Sequence, residues 1–236
     1  MLRKIINLLT TKQNYISPRL KTFDNKVIII TGETGKIGSA IKEVLLKNGA
    51  IVVGSSPDSE VNKIDITDEY QVQKLIKDTY KKYGKIDAVI NNAGLFSFGE
   101  IENISVKEFD RVTDVNIKGV FLMCKNVTPI MKLQKSGTII NIGSKISRNT
   151  KVEPKKSLYA LTKYAVEGFS FALTRELKQF GIRVVCLMPG TVNTFFSRKS
   201  KDFMSVYDVA EIVSVILKMD QIDFESIVFK SKKQDI

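Results

Sequence analysis

The chain contains no histidine, so proton transfer near neutral pH must fall to tyrosine, lysine or a carboxylate. Tyr159 and Lys163 stand four apart in YALTK, a separation that puts both on one face of a helix. A free tyrosine loses its proton near pH ~10, and a neighbouring ammonium stabilises the phenolate and lowers that value. The pair is therefore chemically competent as acid and base, although the same spacing is commonplace on helices with no chemistry. Upstream, the apolar run GTIINIGS ends on Ser144, a hydroxyl at the end of a strand.

A second cluster is TGETGKIG, Thr31 to Gly38, between the apolar run VIII and the alternating segment SAIKEVLLKNG. A helix N-terminus offers unpaired N–H groups and a positive dipole end, so a pyrophosphate can sit there with little help from side chains. Gly32 permits a tight turn, Gly35 lets the backbone approach the phosphates, and Gly38 lets the helix lie close to the sheet. The spacing is GxxGxxG, with Lys36 where a common version has a further glycine. A P-loop would need a four-residue interval before Gly-Lys-Ser/Thr, which GETGKIGS lacks. At the end of the next apolar run, GAIVVGSS, an acid would accept hydrogen bonds from a ribose 2′-hydroxyl and repel a 2′-phosphate. Ser55 and Ser56 stand there instead and leave room for the phosphate. Lys36 could add positive charge, or be an ordinary surface lysine. The loop thus points to a dinucleotide, NADP(H) in preference to NAD(H).

The elements that must position these groups alternate. KVIII, AIVVG, VNKIDI, KIDAVIN, GTIINIGS, IRVVCLMPG and ESIVF read as strands. Helices are expected over 37–47, about 69–83, most of 105–133, the long amphipathic stretch from Ser157 toward Gly181, and 207–219. Short apolar strands with little alternation, separated by amphipathic helices, imply a parallel sheet covered on both faces. The predicted fold is α/β, one doubly wound domain with a seven-stranded parallel sheet and its ligand crevice at the carboxyl ends of the strands. The loop SSPDSE is too short for a crossover helix, so a turn is expected there.

Composition narrows the function. Apolar residues make up 43% and charged residues 26%, ordinary for a globular protein. No stretch is apolar for long enough to cross a bilayer. Cys124 and Cys186 lie in apolar runs, which suits buried thiols in a reducing, cytoplasmic setting. Without histidine and with two cysteines, no metal site is expected. The formal charge is +12, but the lysines are scattered without a basic block, so a solvated surface is favoured over nucleic-acid binding. Residues 1–22 contain no acid, and Leu2, Ile5, Ile6, Leu8 and Leu9 could line a short helix ended by Pro18. Residues 1–24 therefore read as a basic N-terminal arm ahead of a domain over 25–236.

From about Asn25 to Phe229 the chain resembles the short-chain dehydrogenase/reductase family, whose single domain is of Rossmann type. The family's nucleotide loop corresponds to Thr31–Gly38, so the resemblance implies cofactor contacts at Thr31, Gly32, Thr34, Gly35, Lys36, Ile37 and Gly38. DIT, with Asp65 and Ile66, is similar to the element that meets the adenine. NNAG is present with Asn92, Ala93 and Gly94, and MPGTVNT, with Pro189, Gly190, Val192 and Thr194, is similar to the segment closing over the nicotinamide. Asn116 in VNIKG matches an asparagine that holds a water in a proton relay. Ser144 matches the serine bonding the substrate oxygen, Tyr159 the acid–base tyrosine, and Lys163 the lysine that activates it and bonds the ribose. The resemblance implies hydride transfer between NADP(H) and a small carbonyl or alcohol. It also implies a homodimer or homotetramer through the helices 105–133 and 157–180, where Phe121, Met123, Phe169 and Phe171 lie.

Departures from the family pattern leave other readings open. TGxxGxxG is the spacing of larger, sugar-nucleotide-modifying members, but this chain has no residues for their C-terminal substrate domain. The interval from Ser144 to Tyr159 is longer than usual, through SRNTKVEPKK. The segment FFSRKSKDF is short for a substrate lid, so a small or open pocket is expected. A non-catalytic cofactor-binding or regulatory protein on the same fold is the main alternative.

Overall fold

The computed structural model of the chain describes residues 22–148, 152–194 and 200–233. The N-terminal arm expected over 1–24 therefore lies, except for its last residues, outside the described residues. So do the centre of SRNTKVEPKK and the first half of the expected lid.

Parallel strands β1 (Val27–Thr31), β2 (Ile51–Ser55), β3 (Ala88–Asn91), β4 (Gly137–Ile142), β5 (Ile182–Pro189) and β6 (Ser226–Phe229) form one sheet in the order β2-β1-β3-β4-β5-β6. Helices α1 (Lys36–Lys47), α2 (Glu69–Tyr83), α3 (Val106–Thr113), α4 (Val120–Gln134), α5 (Ser157–Leu177) and α6 (Val206–Lys218) connect and cover them. Alternate strand residues point to opposite faces, and here both faces are buried. Ile28 and Ile30, Ile140 and Ile142, and Val185 and Leu187 join the core under α1 and α6. Ile29, Ile139 and Val184 join the core under α2, α4 and α5. That double burial is why the strands read as continuous apolar runs.

The expected seventh strand is absent among the described residues. VNKIDI contributes one isolated bridge, Ser56 to Lys63, so the sheet has six strands. A parallel neighbour for β2 needs a crossover of a dozen or more residues, and the chain here turns back at once. Asn62 donates to Gly54 O at 2.9 Å and Ser56 N–H to Asn62 O at 3.3 Å, which fastens the turn over the end of β2.

Local signals set the helix ends. Asp68 accepts from Tyr70 and Gln71 N–H to start α2, and Gly84 at φ 73° ends it. Ser205 and Asp208 form a capping box on α6. Helix α1 begins differently, with Gly35 as N-cap, no side-chain cap and no acid in its first turn. The sheet order places β1 between β2 and β3, so the winding reverses there. The loops after β1 and β3 face one another across the switch point at the carboxyl ends, where doubly wound sheets take ligands.

Candidate active site

The glycine loop is stitched to the loop after β3. Thr31 Oγ1 accepts from the N–H groups of Asn92 and Ala93, both at 3.1 Å, and Asn92 Nδ2 donates to the carbonyl oxygens of Thr31 and Gly32 at 3.0 and 3.1 Å. Gly32 has φ 67°, and a Cβ on it would lie 2.8 Å from Ala93 Cα. A Cβ on Gly38 would collide with the Gly32 carbonyl oxygen. The helix therefore approaches the sheet closely enough to aim its uncapped N–H groups into the crevice. This bare cradle, free of acidic side chains in the helix's first turn, fits a diphosphate. Thr31 and Asn92 build the cradle, while Thr34, Gly35, Lys36 and Ile37 are partly or well exposed along it.

Several residues expected to meet the cofactor are also tied to protein partners. Ser55 is fully buried with its hydroxyl turned to Ile30 O at 3.5 Å, because the last residue of β2 still belongs to the sheet. Ser56 does reach the loop, its hydroxyl 2.8 Å from that of Thr34. With Asn193, Ser200 and Lys201, Lys36 lines a pocket of about 410 Å³ beside the segment after β5. Ile66 is buried and packs against Gly119, while Asp65 is exposed and accepts from Thr67 N–H and Oγ1 at 2.9 and 2.8 Å. Beyond β5, Pro189 is buried, Gly190 N–H donates to Phe229 O at 2.7 Å, and Val192 forms a bridge to Met204. Asn193 exchanges hydrogen bonds with Ser200 at 3.0 and 3.1 Å. Thr194, next in the chain, is half-buried.

Glu33, which no spacing in the sequence singled out, turns out to be the anchor of the loop. Its carboxylate is buried, accepts from Ser59 Oγ and pairs with Lys42, both at 2.5 Å, and occupies the space left by the missing side chain of Gly54. Burial alone would raise its pKa, but the hydrogen bonds from Lys42 and Ser59 and the lysine charge bring it below the usual carboxylate value. The one trace in the sequence is the glycine interrupting IVVGS.

Ser144, Tyr159 and Lys163 come together at the carboxyl end of β4. The Tyr159 hydroxyl is hydrogen-bonded to Ser144, across the lengthened interval, and Ser144 Oγ is held by the Ile146 N–H at 3.2 Å. Lys163 is buried, donates to Ile142 O at 2.8 Å, and lies 5.7 Å from the centre of the Tyr159 ring. Gly94 faces the Lys163 ammonium, with space between them for ordinary van der Waals contact. Burial lowers the lysine pKa to about 8. The tyrosine shifts the other way from expectation: burial raises its pKa, and the bond from Ser144 offsets this only in part.

Asn116 lies in a wide π-helical turn, Asp114–Gly119, joining α3 to α4. Its Oδ1 accepts from Leu95 N–H at 2.7 Å, and its Nδ2 donates to Leu95 O and Thr162 Oγ1 at 2.9 and 3.0 Å. Its amide therefore clamps the loop after β3 to α5, and both amide hydrogens are spent on protein. Outward of this turn, Phe121 and Phe171 are about half exposed, and Met123 is buried in the core. A pocket of about 480 Å³ lies between α4 and α5, lined in part by Phe109, Phe121, Leu161 and Phe169.

Comparison with known proteins identifies the family and the fold. The model of the family described as short chain dehydrogenase matches residues 26–205. An oxidoreductase of Botryotinia fuckeliana, BOA17, is 36% identical over 196 residues, covering 77% of this chain and 71% of its own. The solved structure of a 3-ketoacyl-(acyl-carrier-protein) reductase from Brucella melitensis complexed with NADH superposes with a TM-score of 0.79 at 25% identity, covering 89% of this chain and 99% of that one. The structure of ElxO with NADP bound also gives 0.79 at 25% identity, covering 86% and 96%.

Proposed function

The chain belongs to the short-chain dehydrogenase family, and from that premise we propose that it is an oxidoreductase transferring a hydride between NADP(H) and a small carbonyl or alcohol. The observation that carries the proposal is the hydrogen-bonded Ser144–Tyr159 pair beside buried Lys163, opening on the same crevice as the bare N-terminus of α1. When bound, a reduced nicotinamide supplies the hydride. Ser144 Oγ and the Tyr159 hydroxyl hold the carbonyl oxygen where negative charge develops. Tyr159 then gives up its proton to that oxygen, and its raised pKa keeps it loaded as a donor at neutral pH. Lys163, in its ammonium form, offsets the phenolate left behind and reaches ribose hydroxyls. Asn116 holds the loop after β3 in place beside Lys163, where it would support the proton relay. A screen of carbonyls and alcohols with both cofactors tests the reading. Binding of cofactor without turnover of any of them would replace it with a cofactor-binding role.

Preference for NADP(H) is supported by the hydroxyls of Ser56 and Thr34 at the end of β2, where the nearest buried acid, Glu33, is turned away onto Lys42. Dissociation constants measured at one ionic strength are expected to favour NADPH. Tighter NADH binding would overturn this and assign the ribose to Asp58, an exposed carboxylate of the same turn. Because Lys36 faces the segment after β5, Lys36→Ala is expected to weaken NADH and NADPH alike, by up to ~10-fold for one lost lysine–phosphate contact. A loss confined to NADPH would restore it to the 2′-phosphate.

Assembly through α3, α4 and α5 is supported by the exposed aromatic side chains around the 480 Å³ pocket. The expected assembly is a homodimer or homotetramer with two-fold symmetry. Sedimentation should show a species larger than the monomer at micromolar concentration. Phe121→Asp should shift it to monomer, and a wild-type monomer would dismiss the interface. Among the described residues no helix is long and apolar enough to cross a membrane.

A further inference from the structure

The loop after β3 carries two phenylalanines up to Tyr159. The Phe96 ring meets the Tyr159 ring edge-on, with centroids 5.0 Å apart at 61°. Phe98 lies nearly parallel to Phe96, at 6.4 Å and 17°, and is 61% exposed. Between them, Ser97 is buried and hydrogen-bonded to Glu108 of α3. The two rings, two residues apart, lie on one side of the chain. The loop is fixed at both ends, by Asn116 on Leu95 and by the Gly99 N–H on Lys155 O at 2.9 Å. The rings are thus presented in place rather than collapsed into the core.

We infer that the substrate carries a flat apolar group, an aryl ring, next to its carbonyl, and that this ring lies against Phe96 and Phe98 while the oxygen meets Tyr159 and Ser144. The inference rests on the reading of Tyr159 as the proton donor. Aromatic rings attract one another edge-to-face or offset, beyond the gain from burial alone. They offer no partner to hydroxyl groups, so a polyhydroxylated carbonyl placed on this wall would lose its water without replacement. The row from Tyr159 through Phe96 to Phe98 thus selects for aryl ketones or aldehydes and against sugars.

The test uses the full-length protein saturated with oxidised cofactor and acetophenone as probe, read by saturation-transfer NMR. Transfer to the ring protons is expected, retained in Phe98→Tyr and reduced in Phe98→Ala. Kinetically, the ratio of kcat/KM for acetophenone over butanone should fall roughly 2- to 10-fold in Phe98→Ala, the size of one aromatic contact, and glucose should be a poorer substrate than either. Absent ring transfer, a ratio indifferent to Phe98→Ala, or preference for glucose would each overturn the inference. Reduction of carbonyls without aryl preference would leave the hydride-transfer reading standing and the inference fallen. Ring transfer that depends on Phe98, with no turnover of any carbonyl, would fell the hydride-transfer reading and with it the inference, leaving only an aryl-binding wall.

Discussion

Tyr159→Phe is expected to lower turnover by ~10²–10⁴-fold, the usual effect of losing a transition-state proton donor, while folding and cofactor affinity survive. The ring keeps its packing against Phe96, and only the hydroxyl bound to Ser144 is lost. The pH dependence adds a sharper check. Burial holds the Tyr159 proton above its ordinary value, so the donor form persists well beyond neutrality. Lys163, lowered by burial to about 8, is an ammonium below that pH and loses its charge above it. In reduction, kcat/KM should therefore be level below pH ~8 and fall above it, by at most ~10-fold per pH unit for one proton. Lys163→Met should lower the plateau and remove that limb. Near-wild-type turnover in Tyr159→Phe, or an alkaline limb that persists in Lys163→Met, would place the proton chemistry elsewhere.

Gly38→Ala is expected to cost roughly 1–3 kcal/mol of stability through overpacking and to abolish tight cofactor binding. Its Cβ would run into the carbonyl oxygen of Gly32 and lie 2.8 Å from Asn92 Nδ2. The main part of that clash is backbone, which cannot rotate away. Helix α1 would have to lift off the loop, moving its N-terminal N–H groups from the crevice. Gly168→Ala provides the contrast. That glycine lies inside α5 with nothing within 4 Å of an added Cβ, so the variant should be stabilised by ~0.5–1 kcal/mol through helix propensity. Thermal melts and cofactor titrations of both variants check the pair. Equal behaviour would mean that close approach at Gly38 is not what shapes the site.

The candidate site was legible where its geometry is local. One helical turn relates Tyr159 to Lys163, and one strand-to-helix junction contains the whole glycine loop, so spacing sufficed. Reading failed where position depends on a distant partner. VNKIDI has the apolar content of a strand, but the chain between it and β2 is too short to cross over the sheet, and only a bridge forms. Lys36 shares a pocket with Asn193 and Lys201, brought in from beyond β5, which no local spacing could show. Glu33 carries no motif, because what recruits it are Lys42 and Ser59 on two other segments.

The sequence by itself determined the α/β alternation, the turn at Gly32, the close approach at Gly38 and the one-turn spacing of Tyr159 and Lys163 in a chain without histidine. Each follows from residue type and short-range backbone geometry, which the unfolded chain already carries. Only the tertiary structure decided the direction of the two pKa shifts. Burial of Tyr159 and Lys163 removes water from both, and desolvation always works against the charged form. Their spacing predicted a phenolate steadied by an ammonium; the packed site holds a protonated phenol beside a lysine that titrates near pH 8.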